Sequence, residues 1–136
     1  FTILALLWNF QTLQLPTLKI LLLVNVSFTA SDNGCADPFS TCKLLNSLVL
    51  YECSLNNDAK ILFICSSNLL NLKLNNTFLA TTSKLDNTQH KIGLSTPNLS
   101  SLTIKNYWIF SYRQLFYTCN LSFFEEGNIH TSRCDI

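Results

Sequence analysis

The side chains able to do chemistry are few and widely spread. Six cysteines (Cys35, Cys42, Cys53, Cys65, Cys119 and Cys134) and two histidines, His90 and His130, supply the soft ligands and nucleophiles. Zinc sites pair cysteines or histidines at short, regular spacings, and Cys35-x6-Cys42 is too wide for a knuckle. A Cys–His nucleophile can be drawn from Cys65 and His90, but no oxyanion donor or orienting group accompanies it in the sequence. Glu125 and Glu126 run into Gly127 and read as a solvated turn, not as an acid/base pair. Without a Gly-rich phosphate loop either, the expectation is a chain that is not an enzyme and takes no cofactor and no metal.

Composition sets the class. Hydrophobic residues make up 48% of the 136 and charged residues 12%, with a net charge of +1. A chain so poor in clustered Lys and Arg carries no footprint for nucleic acid. Its length suits one domain. The cysteines and the sequons at Asn25, Asn75, Asn98 and Asn120 point to an oxidising compartment, hence the secretory pathway and a cell-surface or secreted protein.

Two regions differ in texture. Residues 1–31 read as a signal peptide or hydrophobic leader: Lys19 precedes an apolar run from Ile20 to Phe28, with Thr29 and Ser31 spaced for cleavage. Cleavage there would remove the Asn25 sequon. Residues 32–136 read as one all-β domain. Short runs rich in Ile, Val, Phe, Tyr and Thr lie between turn residues: 48–55, 60–66, 69–74, 77–81, 91–94, 101–104, 115–124 and 129–134. Period-two alternation through Cys53 turns Val49, Tyr51 and Leu55 inward, and through Cys119 it turns Tyr117 and Leu121 inward. Leu102 and Ile104 face the same core.

The runs "LVLYECSLNNDAKILFIC", "SSLTI" and "FYTCNLSFFEEGNIHTSRCDI" resemble the variable-set immunoglobulin domains, and within them the OX-2 membrane glycoproteins and their viral (herpesvirus or poxvirus) homologues. The resemblance covers residues 48–136. It implies a two-sheet Greek-key sandwich held by a Cys53–Cys119 disulfide, with Tyr117 as the buried corner tyrosine. It implies a further bridge for Cys134, whose partner, Cys35 or Cys42, stays open, and leaves Cys65 where the family places a core tryptophan.

A sandwich of this kind works through its faces. The resemblance implies a ligand for a protein receptor, an inhibitory immunoglobulin-superfamily receptor of myeloid cells, that dampens immune activation. Leu62, Ile64, Phe116 and Phe124 would form the binding face, with Glu125, Glu126 and Asn128 in the adjoining loop. A register shifted by one residue sends the apolar four to the core instead. Asn75, Asn98 and Asn120 are the expected glycan acceptors. A membrane tether would require a C-terminal part beyond residue 136. Two readings stand beside this one: a small disulfide-stapled secreted effector, and a decayed or spurious reading frame without function, suggested by the absence of methionine and the scarcity of glycine.

Overall fold

Four times along the chain a leucine is followed three residues later by a second and two residues after that by a third aliphatic side chain. The sets are Leu18-Leu21-Leu23, Leu45-Leu48-Leu50, Leu69-Leu72-Leu74 and Leu99-Leu102-Ile104, and all twelve are buried. A computed structural model of the chain shows why. It describes residues 2–6, 9–10, 16–31, 34–56, 58–75, 91–106, 116–119 and 129–133. These wind as coils of a parallel β-solenoid, each coil stacking its leucines on those of the coil before.

The strands are β1 (Thr2–Leu6), β2 (Asn9–Phe10), β3 (Ile20–Val24), β4 (Ser27–Phe28), β5 (Cys35–Ala36), β6 (Ser47–Tyr51), β7 (Ser54–Leu55), β8 (Ile61–Cys65), β9 (Asn71–Asn75), β10 (Lys91–Ser95), β11 (Ser101–Asn106), β12 (Phe116–Cys119) and β13 (Ile129–Arg133). They form a six-stranded sheet β1-β3-β6-β9-β11-β13, a four-stranded sheet β12-β10-β8-β5 and a three-stranded sheet β2-β4-β7. Every ladder among them is parallel. Along the long sheet the pairs Thr2–Ile20, Ile20–Ser47, Ser47–Asn71, Asn71–Ser101 and Leu102–Ile129 advance by 18, 27, 24, 30 and 27 residues. One turn of the solenoid therefore takes 18 to 30 residues, the spacing of repeat architectures.

The core lies between the sheets. Leu21, Leu48, Leu72 and Leu102 share one register row, and Leu23, Leu50, Leu74 and Ile104 another. Neighbouring strands sit about 4.8 Å apart, so each side chain rests on its counterpart in the next coil. Burying each such leucine contributes roughly 1.5–3 kcal/mol. Ala36, Leu62 and Ile92 line the facing wall, with Ile64 and Leu94 beside them. In the coil that β3 begins, Phe28 meets Phe39 edge-on, ring centroids 5.7 Å apart.

The corners repeat as faithfully as the strands. The carbonyl of the residue after the first leucine accepts two N–H groups from the next coil. Lys19 takes Asn46 and Ser47 at 2.7 and 3.0 Å, Asn46 takes Leu70 and Asn71 at 2.8 and 3.1 Å, and Leu70 takes Ser100 and Ser101 at 2.8 and 3.0 Å. The residue before that leucine adds a side-chain rung in two coils: Asn68 Nδ2 donates to the Lys43 carbonyl at 2.6 Å and Asn98 Nδ2 to the Ser67 carbonyl at 2.7 Å. At the start of β5 Gly34, at φ +76°, turns its carbonyl to Lys60 and Ile61 of the following coil. Only glycine adopts that backbone without strain.

Several expectations are corrected here. The chain is all-β as read, and no helix occurs among the described residues. A Greek-key sandwich, however, needs antiparallel neighbours, and the described strands have none. Residues 16–31, assigned to a leader ending at 31, supply Leu18, Leu21, Leu23, Val26 and Phe28 to the core. A boundary at 31/32 would cut through the coil that β3 begins. Inward facing also changes phase at one point. Leu48 and Leu50 are buried while Val49 and Tyr51 face outward; after Glu52 the buried residues are Cys53 and Leu55. Glu52 sits at φ 54° and Asn25, one coil earlier, at φ 55°. This left-handed residue turns the corner between sheets, so alternation cannot be carried through it.

Two stability outcomes follow. Leu72→Ala, which empties a fully packed row, lowers the unfolding free energy by about 2–5 kcal/mol, while Asn71→Ala on the outer face stays within about 0.5 kcal/mol; urea denaturation of both variants measures the contrast. Asparagine tolerates the left-handed region better than glutamate, so Glu52→Asn raises the melting temperature. A lower melting temperature would show that the Glu52 side chain itself supports the corner.

Candidate recognition face

The strands of the six-stranded sheet send alternate residues outward, and the leucine pattern determines which. On β3 and β6 the outward residues are Ile20, Leu22, Val24, Ser47, Val49 and Tyr51; Ile20 is 43% exposed and the other five are partly exposed. On β9 and β11 they are Asn71, Lys73, Asn75, Ser101, Thr103 and Lys105. Register aligns Leu22, Val49, Lys73 and Thr103 in one row, and Val24, Tyr51, Asn75 and Lys105 in another. The backbone ladder continues Thr103 onto His130 and Lys105 onto Ser132. One face thus passes from aliphatic and aromatic to polar and basic along the solenoid axis.

Two lysines stand on it. Lys73 and Lys105 form no ion pair with a described residue, and the described acids stand elsewhere. Glu52 is at the corner closing β6. Asp58 lies beyond β7, its Oδ1 accepting the Ala30 N–H at 3.3 Å. Asp37 follows β5, where burial pushes its carboxyl above the usual range and leaves Oδ1 without a hydrogen-bond partner.

An open groove of about 600 Å³ lies where the four-stranded sheet turns into the six-stranded one. Lys43, Cys65, Ser66 and Asn68 line it. The Cys65 thiol is pushed above its ordinary range by burial first and by the nearby Asp37 charge second. A thiol held protonated is a weaker nucleophile than a thiolate. No cluster of three metal-ligating side chains occurs among the described residues.

The expected site residues fare unevenly. Leu62 and Ile64, placed on a binding face, are both fully buried on β8; the register shifted by one is the one the chain adopts. Cys53 is not bridged to Cys119. Cys53 and Cys65 are thiols, and the Cys53 Sγ donates to the Leu23 carbonyl of the preceding coil at 3.5 Å. Cys119 lies on the other sheet, paired in register with Leu94. Phe116 and Tyr117 belong to β12, and their side chains lie outside the described residues, as do Phe124, Glu125, Glu126, Asn128, Asn120, Cys134 and His90. Of the sequons, Asn25 and Asn98 are exposed at corners, whereas Asn75 is half-buried within β9. The residues that sequence reasoning missed are the outward ones of β3, β6, β9 and β11. Their signal was the fourfold leucine spacing, which also marks the positions between.

Comparison with known protein families, with curated proteins and with solved structures returns no match.

Burial pushes the Cys53 thiol up to about 11 from 9.0, with backbone hydrogen bonds at Val26 and Tyr51 offsetting part of the rise. The folded chain keeps this proton to higher pH than the unfolded chain does. Its stabilisation is therefore complete below pH 9 and is lost as pH rises toward 11. Thermal melts across that range are expected to fall, and Cys53→Val, the residue type at this place in the preceding coil (Val26), flattens part of the decline.

Proposed function

We propose that the chain is a protein-recognition module, a short solenoid that presents the outer face of its six-stranded sheet to a polypeptide partner. The observation that carries this reading is the composition of that face. Its residues are interchangeable as far as the fold is concerned, because the leucines beneath them carry the packing. Yet Ile20, Leu22, Val24, Val49 and Tyr51 place an aliphatic and aromatic patch there. Contiguous outward apolar surface commonly marks a partner site. Solenoids use such extended sheet faces for binding. The run Leu45-x2-Leu48-x-Leu50-x2-Cys53-x-Leu55 also follows the spacing of leucine-rich repeats, whose strands line a recognition surface.

The expected receptor of the immunoglobulin superfamily depended on a sandwich face, and two of that face's residues, Leu62 and Ile64, are core. Recognition of a protein remains; the identity of the receptor loses its support. Secretion belongs to the same proposal, supported by the exposed sequons at Asn25 and Asn98.

Selection of peptides from a displayed random library tests the face. Binding of the selected peptides falls by about tenfold or more in Val49→Arg and Tyr51→Arg, as for central hot-spot residues. Phe63→Arg, on the outer side of β8, changes it little. Equal loss in all three, or none in any, removes this sheet as the binding surface.

A further inference from the structure

We infer that the segment seated on this face is an extended peptide in which an apolar residue is followed by two carboxylates, with Lys73 and Lys105 selecting the acids. The inference rests on the recognition reading above and adds the chemistry of the partner. Lys73 and Lys105 project from adjacent strands, two register positions apart. With strands about 4.8 Å apart and residues about 3.4 Å apart along them, their anchoring points lie roughly 8 Å from each other. Side chains at alternate positions of an extended peptide lie about 7 Å apart on one side, within reach of two flexible lysines. No described acid occupies the face to neutralise them, and Asn71, Asn75, Ser101 and Thr103 around them are uncharged.

The spacing to the apolar half sets the rest of the motif. Leu22 and Lys73 share a register row across β3, β6 and β9. Val49 lies one strand spacing from Lys73 and Leu22 two, so a side chain seated over the pair is roughly 7 Å from Lys73, two residues of extended chain. A peptide of the form apolar-x-acid-x-acid, with all three side chains on one side, therefore matches the face when it runs along the solenoid axis, its apolar residue over Leu22 and Val49. An acidic partner also avoids leaving the two ammonium groups desolvated without a counter-charge, the most costly outcome of covering them with an apolar one.

The test pans a library of random peptides, each about twelve residues long to span the roughly 14 Å from β3 to β11 with margin, against the full chain. Enriched peptides are resynthesised and titrated by fluorescence anisotropy. The expected result is enrichment of acidic pairs next to an aliphatic or aromatic residue. Binding should weaken by about tenfold or more in the Lys73→Glu/Lys105→Glu double variant, and also as salt rises, since partly exposed pairs are screened. The double variant must melt where the parent does, and Lys73→Arg/Lys105→Arg must restore binding. Peptides that lose binding in Tyr51→Arg but tolerate the charge reversal overturn the acidic partner and leave the face standing. Peptides insensitive to both changes, or no enrichment at all, overturn both.

Discussion

Stacking of leucine upon leucine, one inter-strand spacing apart, is the constraint on which everything else in this molecule depends. A single coil cannot bury its leucines; its strand of five residues has one apolar row and nothing to cover the ends. The next coil provides that cover, and the ladder of backbone hydrogen bonds sets the distance at which it does so. Four sets at positions 18, 45, 69 and 99 meet this condition together. Coil lengths vary because the condition applies to the strands and not to the connections between them.

Corner chemistry serves the same stacking. A carbonyl that accepts two N–H groups, repeated at Lys19, Asn46 and Leu70, starts each strand of the long sheet in register with its neighbour. Left-handed residues at Asn25 and Glu52 end it. Asparagine suits that backbone and glutamate does not, so equivalent corners of successive coils carry different local strain for the same geometry. Cys53 and Val26 make a similar comparison. Both fill the first inward place after the corner, but the thiol also donates to the coil beneath, and its burial raises its pKa. The cysteine is a packing residue with a hydrogen bond, and bridging it elsewhere would cost that contact.

Once the inward rows are committed to packing, the outward rows are released for other purposes. Their gradient from Leu22 and Val49 to Lys73 and Thr103 lies over core rows that are aliphatic throughout. That separation of duties is what lets a solenoid carry a binding surface without compromising its fold. Assigning Leu62 and Ile64 to the surface takes the inward row of β8 for the outward one.

Strand positions were legible from residue types alone: the runs at 60–66, 69–74, 91–94, 101–104 and 129–134 coincide closely with β8, β9, β10, β11 and β13. Local propensity and turn residues suffice for that, since each strand is a local event. The inward side of β11 was legible too, with Leu102 and Ile104 buried. Strand β3 was not, because an apolar run after a lysine reads equally as a leader; only its place between β1 and β6 distinguishes the two. Pairing direction was likewise beyond local pattern, as a short alternating strand is compatible with an antiparallel neighbour or a parallel one. What decides is whether distant segments share spacing, and that is a relation among coils. The amino-acid order determined where chain extends and which residues are apolar. The tertiary stack decided which strands touch, which way they run and therefore which side chains remain outside to meet a partner.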